Sequence, residues 1–266
     1  MVEEFFKTSS PLPLEQRCPS NRTHVIPEKR SYIYTRSVAN PNNINSAIEF
    51  YLQVGDVKDP QDRNRLALFQ QIVNEPAFDQ LRTKEQLGYI VFSGIRKQTG
   101  MAGYRIIIQS EKDPNHLESR IEVFIEALQT KLENMDSVEF EKHRSALCMK
   151  LLEKHKNLQQ ESTRMWNHIQ SGYYDFDQHV QDHHLVNGLG LKDIQAFYHQ
   201  FIKKSGLRRK LSVHLGSRKS PVPLTIKDNH VIQEHEILSV KTQLTLGKHA
   251  SPVKPMTDFV FAKAHF

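Results

Sequence analysis

The chain has 266 residues, 38% hydrophobic and 25% charged, with 11 glycines and 12 prolines: enough for a real core, and too little Gly and Pro for a collagen-like or linker-dominated protein. Its longest purely apolar runs, such as Tyr89–Phe92, fall far short of a membrane span, and the opening Met-Val-Glu-Glu-Phe-Phe-Lys carries acids where a signal peptide wants basic residues, which predicts a soluble, non-secreted chain. The net charge of +6 lies wholly beyond Gly206, because residues 1–206 hold 26 basic and 26 acidic side chains; the folded body therefore lacks the basic excess expected of a nucleic-acid-binding domain.

Residues 1–20, with three prolines and a Ser-Ser pair, read as a leading segment rather than an element. Ser31–Ser37 and Ser46–Gly55 read as strands. In the second, Ile48, Phe50, Leu52 and Val54 share one face and Glu49, Tyr51 and Gln53 the other, the period of two that marks a half-buried antiparallel strand. Asp59-Pro60 then supplies an N-cap and a proline at the first helical position, ahead of an apolar stripe of Leu66, Phe69, Ile72 and Val73. Pro76 is expected to bend or restart this helix, and the continuation Ala77–Gln86 to end at Gly88. Tyr89–Gln98 and Gly103–Glu111, joined by Thr99-Gly-Met-Ala102, read as a hairpin.

The second half is predicted to be helical. Leu117, Ile121, Phe124, Ile125, Leu128 and Leu132 recur at helical spacing, and Asp136-Ser-Val-Glu139 resembles a capping box opening a helix through Phe140, Leu147 and Leu151. Further helices are expected around 162–171, 177–186 and 191–205, with Met165, Trp166 and Ile169 in the core. Lys210–Gly216 alternates Leu211, Val213 and Leu215 as a closing strand. Residues 221–266, with four prolines and weak periodicity, read as a basic extension that is draped over the domain or loose. Strands first, helices next and a returning strand predict an α+β domain over 21–220, a mainly antiparallel sheet with several helices packed on one face.

Little in this chain carries recognisable chemistry by motif alone. Cys18 and Cys148 are too few for a disulfide framework or a Cys-rich metal site and read as ordinary reduced thiols. A helical zinc peptidase needs two His four residues apart with a neighbouring Glu, and neither the direct nor the inverted motif occurs. His230 and His235, with Glu234, miss the spacing: five helical positions turn about 140°, against about 40° for four. His179 and His183 do have it, beside Asp175, Asp177 and Asp182, but a solvated, partly protonated face is the expected reading. Asn21-Arg-Thr23 is a glycosylation sequon only in form. Arg208-Arg-Lys210 and Arg218-Lys219 are expected to be a solvated strand end and part of a basic tail.

One stretch is more specific: Asn74-Glu-Pro-Ala-Phe78-Asp-Gln-Leu-Arg82-Thr-Lys-Glu-Gln86-Leu-Gly-Tyr89-Ile-Val-Phe92-Ser-Gly94. It closely resembles the C-terminal half of insulysin-like members of the inverzincin (M16) metallopeptidase family. The resemblance extends in order through Ile107-Ile-Gln-Ser-Glu111-Lys, His116-Leu-Glu-Ser-Arg120, Tyr174-Asp-Phe-Asp177 and Leu211-Ser-Val-His214, so it covers roughly residues 20–220. It implies the fourth, C-terminal domain of a clamshell endopeptidase whose zinc ligands and general base belong to an N-terminal half. Zinc is then a cofactor of the complete enzyme, with none expected in this chain.

What the resemblance transfers is the pair Arg82 and Tyr89, the C-terminal half's contribution to the active chamber. Arg offers fixed N–H donors with a permanent charge and Tyr a neutral phenolic donor, and both can hydrogen-bond a substrate carbonyl as it gains charge. Without the resemblance, Arg82 pairing with a surface acid and Tyr89 packing in a sheet would serve equally. Phe78 is either an aromatic wall beside the cleaved bond or a buried helix-packing residue; Glu75 and Gln86 read as structural. The implied partners are peptide substrates and the zinc-bearing half, with homo-oligomerisation left open and neither nucleic acid nor membrane expected. The isolated chain is expected to be inactive. The alternative is a non-catalytic peptide-binding or assembly module of the same fold. The ending Ala262-Lys-Ala-His-Phe266 departs from the peroxisomal Ser-Lys-Leu type, so the cytosol is favoured over mitochondrion or peroxisome.

Overall fold

A computed structural model describes residues 23–98, 100–217 and 229–247; Cys18, the Asn21 sequon start, Arg218, Lys219 and the ending Ala262–Phe266 lie outside these. The two-residue strand β1 (His24–Val25) precedes β2 (Ser31–Ser37) and β3 (Ser46–Gly55). Helix α1 (Pro60–Phe78) leads through a π-helical turn, Asp79–Lys84, to the hairpin β4 (Ile90–Gln98) and β5 (Met101–Ser110). Helices α2 (Pro114–Asn134), α3 (Ser137–Leu151), α4 (Leu158–Gln170), α5 (Gln178–Gly188) and α6 (Leu191–Phe197) follow, the last continuing as a second π-turn, Tyr198–Ile202. Strand β6 (Arg209–Gly216), β7 (His230–Ile232), α7 (Ile237–Gln243) and β8 (Thr245–Leu246) complete the described residues.

The six-stranded sheet has the order β4-β5-β3-β6-β2-β7, with β8 pairing separately with β1. Pairing is antiparallel except that β2 runs parallel to β6 and to β7. This is the predicted α+β class. The period-two reading of β3 places its residues correctly: Ile48, Phe50, Leu52 and Val54 are buried against the helices with Tyr104, Ile106 and Ile108 of β5. Asp59 caps α1 by accepting from the Gln61 and Asp62 N–H groups, and Leu66, Phe69, Ile72 and Val73 are buried beneath the sheet. Each such side chain contributes about 1.5–3 kcal/mol by leaving water. Asp136 likewise accepts from the Glu139 N–H at 2.7 Å.

Several expectations are corrected. Pro76 does not restart α1; the α-helix runs through it, and the change of hydrogen-bonding pattern comes three residues later, at the π-turn. Gly88 does not terminate the helix. The left-handed residue is Gln86, at φ 49°, and Gly88 is needed because a Cβ there would stand 2.0 Å from the Gln109 carbonyl oxygen. Trp166 and Ile169 are not core: α4 has no buried residue, Trp166 is exposed and Met165 only half-covered, because no described element covers that face of the helix. Arg208 and Lys210 are no solvated strand end; both are buried.

Strand β6 shows why. Its alternation is a strand, but the residues turned toward the helices are the polar ones, Lys210, Ser212 and His214. They meet Glu118 of α2, whose carboxylate accepts from Lys210 Nζ, from Ser212 Oγ at 2.5 Å and from His214 Nε2 at 3.0 Å. Arg208 donates to Glu122 one turn further along α2, at 2.5 and 2.8 Å. Burial by itself would push the Glu118 carboxyl up; the hydrogen bond from His214 and the charge of Lys210 outweigh it and bring the group down to about 2. A carboxyl lowered in the folded state stabilises fully above its unfolded pKa of 4.5, and that contribution is lost as pH falls toward 2. Urea unfolding measured between pH 5 and pH 2 should therefore show a loss of roughly 3 kcal/mol of stability from this group, and Glu118→Gln should flatten that slope.

A second buried charge pair ties α5 to α1. Arg63 donates to Asp182 from Nε and Nη2, at 3.1 and 2.5 Å, and Asn64 Nδ2 adds a bond of 2.8 Å. Asp182→Asn keeps the volume but removes the charge opposite a buried guanidinium. Thermal unfolding should show a loss of about 2–3 kcal/mol.

Candidate functional site

The site is built where α1 gives way to β4. Asp79–Lys84 widens the last helical stretch, with the Glu85 N–H bonding to the Gln80 carbonyl at 3.0 Å and the Leu87 N–H to the Leu81 carbonyl at 3.0 Å. Leu81 and Leu87 are buried and anchor the turn to the core, so the residues between and beyond them are turned outward. Arg82 is half-buried on this turn. Tyr89, just before the first residue of edge strand β4, is 86% exposed.

The structure brings these two side chains together: the Arg82 guanidinium carbon lies 5.6 Å from the centre of the Tyr89 ring, a cation–π contact. Neither of the bland alternatives describes them. Tyr89 is not packed in the sheet, and Arg82 has no carboxylate partner among its described contacts. Both donor groups are thus free to meet a ligand from solvent. Phe78, the last residue of α1, is 54% exposed, which overturns the buried helix-packing alternative. Ile90 and Phe92 of β4 are exposed as well, and Arg105 stacks on the Phe92 ring at 5.3 Å. Exposed aromatic or apolar side chains thus occur on both elements that flank the pair, α1 and β4.

Two features escape sequence reading. Glu85, inside the Arg82–Tyr89 motif, accepts from Arg120 Nε at 2.6 Å and Nη2 at 2.8 Å, and from Gln80 Nε2 at 2.7 Å. The Arg120 hydrogen bond outweighs partial burial and lowers the Glu85 carboxyl from its ordinary value. Only the motif position of Glu85 could have hinted at this; Arg120 comes from α2. The other feature is a cleft of about 720 Å³ on the opposite, open face of the sheet, between Tyr32, Tyr34, Tyr51, Leu211, Val213 and Val240. It contains no residue of the motif, and its Arg96 is already paired with Glu49. The exposed pair and this hollow are therefore separate features of the surface.

No group of three His, Cys, Asp or Glu side chains among the described residues converges in a way that could hold a metal ion. His179, of the four-residue spacing, contacts Arg164 at 3.0 Å, and burial lowers its pKa. Asp182 is committed to Arg63. Cys148 is buried, and burial raises its thiol pKa. No described helix is long and apolar enough to cross a membrane.

Comparison with known proteins places this geometry. A family model described as PQQ synthase PqqF-like, C-terminal lobe domain 4, matches residues 68–166, the stretch from α1 through the motif to α4. Insulin-degrading enzyme of Homo sapiens is 36% identical over 251 residues, covering 90% of this chain and 24% of that protein. The A-factor-processing enzyme of Saccharomyces cerevisiae is 36% identical, covering 83% of this chain and 20% of that one. The chain thus spans about a quarter of the length of the curated relatives it matches. Among solved structures, pitrilysin superposes with a TM-score of 0.75 over 94% of this chain and 26% of its own, at 21% identity, which shows a shared fold.

Proposed function

We infer, from the homology of this chain to insulin-degrading enzyme and the M16 zinc proteases, that it is the C-terminal domain of an insulysin-like zinc endopeptidase acting on peptides. The observation that carries this reading is the exposed contact between Arg82 and Tyr89 on the motif shared with that family. In the closed enzyme the two side chains reach a bound peptide. The guanidinium and the phenol donate to the carbonyl oxygen of the bond to be cut, and their hydrogen bonds strengthen as that oxygen becomes negative during water attack. Phe78, exposed at the end of α1, gives a neighbouring peptide side chain an aromatic wall. Zinc, for which the described residues offer no converging donor set, belongs to the other half of the enzyme. The chain by itself therefore binds peptide without cutting it.

The test is reconstitution. The chain is mixed with the zinc-bearing half of a related enzyme, and cleavage of a quenched fluorescent peptide is followed. Zinc-dependent hydrolysis by the mixture but by neither part is the expected result. Robust zinc-dependent cleavage by the chain alone would overturn the assignment of the metal to the other half. Peptide binding with no activity in any mixture would instead identify a non-catalytic peptide-binding module of this fold.

A further inference from the structure

We infer that Glu85, clamped by Arg120, is the positioning residue that sets Tyr89 against Arg82; its use in catalysis rests on the reading of that pair as substrate donors. The two side chains lie seven positions apart, and after Lys84 the connector between them belongs to no regular element until β4 begins. It is held at three kinds of point. Leu81 and Leu87 enter the core, and Gly88 lies directly against the Gln109 carbonyl. The third is polar: Glu85 receives a two-pronged bond from Arg120 on α2 and a third bond from Gln80.

The polar tie adjoins Gln86, a non-glycine residue in the left-handed region at φ 49°. Such a conformation persists only where its surroundings over-determine it. The Leu87 N–H bond to the Leu81 carbonyl holds the peptide plane after Gln86, but the apolar anchors leave the Glu85–Gln86 plane before it free to turn. The Glu85 carboxylate, fixed in direction by the Arg120 fork, removes that freedom. A turn at Gln86 would re-aim Tyr89 without disturbing the core, because Tyr89 itself is buried in nothing. Arg120 is one-third exposed, and an ion pair at such a position contributes little to global stability. Its effect is local, on the orientation of the connector.

The full chain is tested by proton NMR. The Tyr89 ring should shift the Arg82 side-chain resonances upfield, with Tyr89→Leu setting the zero. Glu85→Gln and Arg120→Met are each expected to lose most of this ring shift. Amide exchange over Gln86–Tyr89 should speed up about tenfold, while the thermal midpoint moves little. Arg120→Met leaves the Glu85 carboxylate its bond from Gln80 and keeps the test open if Glu85→Gln folds poorly. Exchanging the pair, Glu85→Arg with Arg120→Glu, should restore the shift. A ring shift retained in both single variants, or one lost and not restored by the exchanged pair, would overturn the clamp. Peptide affinity measured on the same samples separates the two claims: a wild-type chain that shows the ring shift but binds no peptide would refute the functional reading and leave the clamp standing.

Discussion

Tyr89→Phe in the reconstituted enzyme is expected to lower turnover about 100- to 1000-fold, with a much smaller effect on KM. The substitution removes one hydroxyl and leaves the ring that stacks on Arg82 at 5.6 Å, so the surface and the cation–π contact survive. On the proposed reading, only the donor to the developing oxyanion is lost. A donor that gains strength as charge appears on the carbonyl oxygen contributes to the transition state and little to the bound ground state, which is why the loss should fall on kcat. Arg82→Lys should show a comparable defect although it keeps the charge, because a lysine cannot reproduce the rigid planar fork of donors. The double variant should be less than additive if both side chains serve one oxygen. Tyr89→Phe cleaving at the wild-type rate would remove the phenol from the chemistry.

Glu118→Ala is expected to be the most damaging single change to the fold, costing about 3–5 kcal/mol in urea or thermal unfolding. Its carboxylate is the common acceptor for Lys210, Ser212 and His214, all buried between β6 and α2. Alanine would leave the Lys210 ammonium with Glu122 at 3.2 Å as its remaining carboxylate, and would strip Ser212 and His214 of a shared acceptor. Replacing the whole group with apolar residues of matching volume should be far less costly, since no charge would then be left unpaired. Glu118→Ala with Lys210→Met is therefore expected to recover part of the loss. An unchanged urea midpoint for Glu118→Ala would show that the network contributes nothing net.

The regular elements were legible because periodicity and capping are local. Asp59-Pro60 and Asp136-Ser-Val-Glu139 mark helix starts by groups that bond within three residues of themselves. The alternation in Ser46–Gly55 identified both a strand and its buried face. At β6 the alternation of Leu211, Val213 and Leu215 identified the strand but not which of its faces is buried. Carboxylates nearly a hundred residues away, Glu118 and Glu122, make it favourable to bury Lys210, Ser212 and His214 instead. Trp166 and Ile169 misled: an amphipathic helix announces that it has an apolar face, and not whether anything packs upon it.

The candidate site divides along the same line. The residues proposed for it, Phe78, Arg82 and Tyr89, were named from the chain alone because they fall in a contiguous motif whose resemblance to a family is specific, and spacing was enough to reveal the α+β class. It took the folded arrangement to show that Arg82 and Tyr89 face one another, that Gln86 rather than Gly88 takes the left-handed turn, and that Arg120 bonds Glu85 in the segment between them. Those outcomes depend on which distant group satisfies a given charge or covers a given face, and neighbouring residues along the chain hold no record of that.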